Sequence, residues 1–254
     1  MAKRKNILIT GASSGLGKGM ALEFAKQGCN LALCARRVEN LEELKKEILQ
    51  KNPNCKVFLR PLDVNIAEDV FTTFKAFNED FKGIGGSLDR VIVNAGMGKG
   101  ASMGKGRQDA NMQTANTNFI AAISQFEAAL EIFREQNHGH VVAMASVSAF
   151  RGLGGAATVY AATKAAIANL AEGARVDLIG KPIKVSTIYP GYIQSEITDA
   201  MKKQPPFTIS LKKGANLLVK AINKEKDEII VPKWPWLLFK ILMPIMPLKV
   251  LRWF

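Results

Sequence analysis

A chain of 254 residues, 48% hydrophobic, is long enough for one α/β domain with a sizeable core, and its 35 Lys+Arg against 22 Asp+Glu leave a formal net charge of +13. Three cysteines, Cys29, Cys34 and Cys55, show no metal-ligand spacing, and their odd number fits reduced thiols in a cytosol and argues against a disulfide scaffold. The basic residues are dispersed and no recognition motif accompanies them, which sets nucleic acid aside as a partner.

Met1-Ala2-Lys3-Arg4-Lys5 runs straight into the apolar stretch Ile7-Leu8-Ile9-Thr10, so a signal peptide has no room and a cytoplasmic location is expected. Gly11-Ala12-Ser13-Ser14-Gly15-Leu16-Gly17 follows, and then a helical pattern marked by Met20, Leu22, Phe24 and Ala25. A buried strand entering a glycine-rich turn and a helix N-terminus predicts a phosphate site. Glycines let the backbone approach the anion, and free N–H groups and the helix dipole face it. The spacing is Gly-x-x-x-Gly-x-Gly, not the commoner Gly-x-Gly-x-x-Gly.

The second predicted strand, 30–35, ends at Ala35-Arg36-Arg37. An acidic residue at that end would accept from a free ribose 2′-hydroxyl and repel a 2′-phosphate, whereas two guanidinium groups suit the phosphate. NADP(H) is therefore expected over NAD(H). Leu41, Leu44 and Ile48 predict one helix, and Ala67, Val70, Phe71, Phe74, Phe77 and Phe81 another whose phenylalanine stripe is core. Further strands are predicted near 56–60, 88–94, 140–146, 183–189 and 228–231. Strands alternating with helices predict a single-domain, doubly wound α/β Rossmann fold over 1–232, with a mainly parallel seven-stranded sheet and helices on both faces. Met97–Gly106 contains four glycines and is expected to be a mobile loop. His138 and His140 flank Gly139 without a third ligand nearby, so no metal is expected.

Ser146 closes the strand that begins at His140, fourteen residues before Tyr160. Its hydroxyl could hold a carbonyl oxygen near the phenol, and Ser148 is close enough to help. Tyr160 and Lys164 share a helix face one turn apart. An ammonium beside a phenol favours the phenolate and is expected to draw its pKa down from about 10 towards neutrality, which makes the tyrosine a usable proton donor or acceptor.

With these residues in place, the chain resembles the short-chain dehydrogenase/reductase family from about Lys5 to Pro232. Thr10-Gly11-Ala12-Ser13-Ser14-Gly15-Leu16-Gly17 looks like its cofactor turn and Asp63-Val64 like its adenine contact. Asn94-Ala95-Gly96 looks like the motif beneath the cofactor, and Pro190-Gly191 with Ile193 like the turn that leads to the nicotinamide. Asn118 sits where the family has the asparagine that supports a proton-relay water, and Ser146, Tyr160 and Lys164 match the remaining catalytic positions. The resemblance implies that Tyr160 and Lys164 also contact the cofactor and that Lys164 holds its ribose. It implies a homodimer or homotetramer as well. The chain departs from the pattern where the family often has a threonine a few residues beyond Pro-Gly: Tyr192-Ile193-Gln194-Ser195 follows instead, with Ser195 the shorter substitute.

The expected reaction is NADPH-dependent reduction of a ketone or aldehyde. Ser146, Ser148, Phe150, Tyr160 and Tyr192 are the candidate substrate contacts, and residues 192–210, with Ile197, Met201 and Phe207, are a predicted apolar lid. Two other readings stay open: an NADP-dependent lipid or sterol alcohol dehydrogenase, and an NADP-binding scaffold or redox sensor at a membrane. Residues 233–254 hold all three tryptophans, and their longest uncharged run is eight residues, Ile241–Leu248. A spanning helix needs roughly 20. Tryptophans, aliphatics and spaced lysines instead describe a segment lying in a membrane interface, with Leu237, Leu238, Ile241, Leu242 and Ile245 on one helical face, and the positive charge favours anionic headgroups. The competing expectation is a tail that covers a subunit or caps its own pocket.

Overall fold

The computed structural model describes residues 4–199, 201 and 204–251. Its core is one sheet whose strands are β1 (Asn6–Thr10), β2 (Asn30–Ala35), β3 (Val57–Pro61), β4 (Arg90–Val93), β5 (Gly139–Met144), β6 (Ile183–Pro190) and β7 (Glu228–Val231). They pair in the order β3-β2-β1-β4-β5-β6-β7, and every pair is parallel. The sequence expectation of a doubly wound seven-stranded sheet therefore holds.

Alternation along the strands sorts the core into two layers, because successive side chains point to opposite faces. Ile7 and Ile9 of β1, Ile92 of β4 and Val142 of β5 face α1 (Gly15–Ala25), α2 (Val38–Lys51) and α8 (Leu211–Ile222). Leu8, Val91, Val93, Val141 and Ala143 face α3 (Ala67–Gly83), α5 (Ala121–Glu135) and α6 (Ala157–Asp177). In α3, Val70, Phe74, Phe77 and Phe81 are fully buried. At about 1.5–3 kcal/mol for each large apolar side chain, this stripe is a main attachment of the helix to the sheet.

The edges of elements differ from the sequence reading by one or two residues where side chains claim backbone groups. β4 begins at Arg90 because the Leu88 N–H donates to Asn78 Oδ1 (2.9 Å) and the Asp89 carboxylate accepts from the Lys5 and Asn6 N–H groups. β5 stops at Met144, whose carbonyl accepts from Lys164 Nζ, so Ser146 lies just beyond the strand. Between α4 (Gln108–Ala115) and α5 the chain makes a five-residue π turn, Asn116–Ile120, which periodicity had not revealed. The C-terminal ends of β1, β4, β5 and β6 converge where the strand order reverses, the crevice in which open α/β sheets bind ligands.

Candidate active site

At the β1 end, Gly11 has φ +65°, and a β-carbon there would press on the Ala95 backbone at 2.8 Å. A β-carbon at Gly17 would overlap the Gly11 carbonyl. Asn94 fastens the turn: its Nδ2 donates to the Thr10 carbonyl (2.9 Å), while the Asn94 and Ala95 N–H groups donate to Thr10 Oγ1 (3.1 Å each). Ser14 is the N-cap of α1 but makes no side-chain cap bond, and the first turn holds no acidic residue. The N–H groups of Gly15, Leu16 and Gly17 therefore lie at an uncapped, anion-favouring helix end, and Ser13 is buried beside them. A pyrophosphate fits this end of the groove.

Arg36 and Arg37 follow β2, as the sequence placed them. Arg37 is not free, however. It donates to Ser14 Oγ (2.7 Å) and pairs through both terminal nitrogens with the Glu196 carboxylate (3.0 and 3.2 Å). Glu196 opens α7 (Glu196–Asp199) within the predicted lid, so an ion pair crosses from the lid to the rim of the groove. Asp63 ends the segment after β3, next to buried Val64, and its carboxylate accepts from the Asn65 N–H and Nδ2 (3.0 and 2.7 Å). Asn65 Oδ1 in turn accepts from Thr117 Oγ1 (3.3 Å), which links this edge to the π turn.

The structure brings Asn118, Ser146, Tyr160 and Lys164 to one place. Asn118 lies in the π turn, a distortion frequently found at functional sites. It clamps Met97 on both sides, accepting from its N–H (2.8 Å) and donating to its carbonyl (2.9 Å), and it reaches Thr163 Oγ1 (3.2 Å). A β-carbon on Gly96 would sit 3.2 Å from Asn118 Oδ1 and 3.7 Å from Lys164 Nζ, so that glycine fits between the two. Ser146 caps the short 3₁₀ turn Val147–Phe150 by accepting from the Ser148 N–H (3.2 Å), and its hydroxyl lies near enough to the Tyr160 phenol to oppose the rise in its pKa. Lys164 Nζ lies 5.7 Å from the centre of the Tyr160 ring and donates to the Met144 carbonyl (2.7 Å).

The electrostatics correct one expectation. Burial pushes the Tyr160 phenol up, against the opposing hydrogen bond from Ser146, and nearby Tyr192 adds to the rise. Burial also draws the Lys164 ammonium down to about 8. Removing both groups from water penalises phenolate and ammonium alike, and this outweighs their mutual attraction.

The predicted substrate walls are partly as expected. Ile197 of the lid packs on Gly98 of the Met97–Gly106 loop, so the two walls meet. The first half of that loop is bonded to its neighbours. Asn111 bonds both the N–H and the carbonyl of Ala101 (3.0 and 3.2 Å), Thr114 bonds the Lys99 carbonyl, and Gly100 packs on the Ala156 carbonyl. Ser148, Leu153 and Tyr192 border a cavity of about 20 Å³ together with Val147. Phe150 does not join them, because its ring pairs with Tyr189 at 5.1 Å and borders a separate hollow with Glu172. Ile193 is also turned away: its side chain packs on Gly214 of α8, leaving only its backbone near Pro190–Gly191. Ser195 faces the cofactor turn, 3.5 Å from where a Gly15 β-carbon would lie, and its N–H donates to Thr198 Oγ1 (2.8 Å).

The remaining wall comes from the tail. Trp236 and Phe239 of α9 (Trp236–Leu242), with Met243, close the cavity. Trp236 stacks edge-on against Tyr192 (5.3 Å) and Phe207 (6.3 Å), and it lies flat on Gly191, where any side chain would overlap the indole nitrogen. The tail thus caps the chain's own pocket with one face, the competing expectation for this segment. Its Arg252–Phe254 end lies outside the described residues, as do Ala200, Lys202 and Lys203 of the lid.

Residues 5–206 match the family model described as short chain dehydrogenase. The chain belongs to that family. An uncharacterized oxidoreductase of Mycobacterium tuberculosis is 44% identical over 251 residues, covering 99% of this chain and 97% of the relative. This short-chain dehydrogenase is accordingly an oxidoreductase. Among solved structures, a short chain dehydrogenase/reductase from Burkholderia phymatum in complex with NAD superposes with a TM-score of 0.83 at 22% identity, covering 95% of this chain and 94% of that one. A short-chain dehydrogenase from Sphingobium yanoikuyae in complex with NADPH does so at 0.82 and 23%, covering 95% and 93%. These two likenesses speak to the fold.

Sequence reasoning missed three features of this dehydrogenase site: the Glu196 partner of Arg37, the Met144 carbonyl under Lys164, and the inward face of the tail helix. Only the last left a signal, since Trp236, Phe239 and Met243 recur at helical spacing. The Arg37–Glu196 pair carries a prediction. A ribose 2′-phosphate at Arg37 would compete with the Glu196 carboxylate for the guanidinium, so on that reading Glu196→Gln should tighten NADPH binding up to about fivefold, the worth of an exposed ion pair, and leave NADH unchanged. Titration of cofactor fluorescence measures both, and equal shifts for NADPH and NADH would remove Arg37 from phosphate recognition.

Proposed function

We propose that this short-chain dehydrogenase is an NADPH-dependent reductase of lipophilic ketones or aldehydes. The observation that carries the reading is the Ser146 hydroxyl beside the half-buried Tyr160 phenol, with Lys164 one turn further along and an apolar cavity bordered by neighbouring Ser148. The backbone of the Gly11–Gly17 turn would hold the pyrophosphate, Arg36 and Arg37 the 2′-phosphate, and Asp63-Val64 the adenine edge. Asn94-Ala95-Gly96 and the Pro190–Ile193 backbone would flank the nicotinamide ring, and Lys164 its ribose. The bound nicotinamide supplies the hydride.

The chain's own residues do the rest. Ser146 donates a hydrogen bond to the carbonyl oxygen and stabilises charge as it develops there. Tyr160 gives its proton to the same oxygen, and a pKa raised by burial keeps that proton in place until it is needed. Lys164 offsets the phenolate that remains. Asn118, held in the π turn, would support a water that returns a proton to the site. NADPH oxidation across ketones and aldehydes of rising chain length, with detergent or lipid present, tests this. Rates that climb with apolar size support it, and cofactor binding without turnover on any of them counts against it.

The same reading extends to a membrane surface. No helix among the described residues is long and apolar enough to cross one. The outer face of α9 and the turns after it leave Leu237 51%, Ile241 65%, Ile245 77% and Leu248 74% exposed, with Lys233 and Lys249 at either end. A monotopic anchor of aliphatics flanked by lysines fits an anionic surface. Deleting the tail would also remove buried Trp236, so the cleaner test replaces these four aliphatics with Gln. Flotation with phosphatidylglycerol-rich vesicles should carry the native chain up, and the variant should lose at least about tenfold in partitioning. Equal flotation of the two would assign the exposed face to something other than lipid.

A further inference from the structure

Among the described residues, four buried side-chain polar atoms lack a hydrogen-bond partner, and two of them, Ser148 Oγ and Trp236 Nε1, belong to residues that border the same cavity. Trp236 is 5% exposed and Ser148 9%. An indole N–H can only donate, and a serine hydroxyl can donate or accept. Leaving such groups buried and unpaired is costly, a penalty that a ligand oxygen accepting from both would remove. The cavity of about 20 Å³ suits a group of that size, since a water needs roughly 10–15 Å³ of such space. Everything else around it is apolar or aromatic apart from the Tyr192 hydroxyl.

The position of the pair says which oxygen. The Ser148 N–H donates to Ser146 Oγ (3.2 Å), so Ser148 adjoins the place where the proposed reaction would hold a carbonyl. Trp236 borders the same cavity, its nitrogen seated against Gly191, and an edge-on contact with Tyr192 fixes the ring. We infer that Ser148 and Trp236 form a second oxygen subsite, and that the substrate is a carbonyl compound carrying another acceptor oxygen, such as an ester or a second ketone, a few bonds from the carbonyl that is reduced. The inference rests on the reductase reading. It makes the tail helix a part of substrate recognition, with Trp236 the specificity-determining residue.

The test uses the full chain with ¹⁵N-labelled tryptophan in detergent, with Trp236→Phe identifying the Trp236 indole resonance. NADP⁺ is added first, then either ethyl acetoacetate or a methyl ketone of matched size. Without a reduced cofactor neither compound can react, so this readout does not depend on turnover. The keto ester should move the Trp236 resonance beyond the shift caused by NADP⁺ alone, and the methyl ketone should not. In steady-state assays, Trp236→Phe and Ser148→Ala should each lower the ratio of kcat/KM for the keto ester to that for the methyl ketone by about tenfold, the worth of one hydrogen bond. Failure of the keto ester to bind, binding that leaves the resonance where NADP⁺ put it, or an unchanged ratio in both variants overturns the proposal. Absence of turnover with both ketones would instead overturn the reductase reading, and the resonance would still decide the subsite.

Discussion

Tyr160→Phe should lower NADPH-dependent carbonyl reduction by about 10²- to 10⁴-fold, the contribution of a positioned general acid, while the cofactor still binds. The substitution keeps the ring near Lys164 and removes only the hydroxyl that neighbours Ser146. Ser146 does not readily replace it, because a serine hydroxyl is a far weaker acid and this one already accepts from the Ser148 N–H. Loss of NADPH absorbance with a reducible ketone gives the rate, and fluorescence titration gives the affinity. Turnover within about tenfold of the native chain would remove Tyr160 from proton transfer, since general acids contribute more than that.

The same site shows why charge and burial have to be weighed together. Reading only the four-residue spacing, Lys164 should acidify Tyr160. In the folded chain both groups are withdrawn from water, the phenol rises, and the ammonium falls to about 8 while it bonds the Met144 carbonyl. A phenol raised in this way stays protonated through neutral pH, and the rise makes it a weaker acid than the spacing alone predicts. Above about pH 8 Lys164 loses its charge, and with it the means of offsetting the phenolate left after transfer, so reduction should decline on that alkaline side.

How much of this was readable from the chain follows from the range of each interaction. The sheet was legible because parallel strands buried on both faces must be continuous apolar runs, as in Ile7-Leu8-Ile9 and Val141-Val142-Ala143. The glycine turn was legible as a strand running into a helix, Ser146 as a strand end, and Tyr160 with Lys164 as a pair one helical turn apart. Asn118 was reached only through the family resemblance. Long-range pairings were not legible. Glu196 reaches Arg37 across 159 residues, and Trp236 reaches Gly191 through a tail whose outer face alone had been counted as apolar. Phe150 shows the limit at short range: its place in sequence beside Ser148 did not reveal that Tyr189 would claim its ring.

Glu225→Ala should destabilise the fold by about 3 kcal/mol or more, as expected when one partner of a buried ion pair is removed. At the N-terminal end of the sheet, Arg90 of β4 is buried, and its guanidinium bonds His140 Nδ1 (2.9 Å), Asn223 Oδ1 (2.7 Å) and Glu225 Oε1 (3.0 Å). Glu225 also takes Arg4 (2.9 Å), and His140 Nε2 meets Ser186 Oγ (2.9 Å). Burial and the neighbouring cations push the His140 pKa well down, so the imidazole stays neutral and leaves Glu225 as the only anion the cluster's pairings supply. Without it, two guanidinium groups face each other at the N-terminal rim of the sheet, one of them out of reach of water. Burial alone would raise the Glu225 pKa, but the hydrogen bonds and charges of Arg4 and Arg90 bring it below its ordinary value of 4.5. A depressed carboxylate pKa means that its contribution is fully present above about pH 4.5 and is lost as pH falls through the folded-state value. Urea denaturation at pH 7 should therefore separate native chain and Glu225→Ala widely, and the gap should narrow under acid. Glu225→Gln, which keeps the shape and one acceptor, should fall between them. Combining Glu225→Leu with Arg90→Met, which removes the stranded charge, should recover much of the loss. A Glu225→Ala chain as stable as the native one at pH 7 would show that water, not Glu225, compensates Arg90.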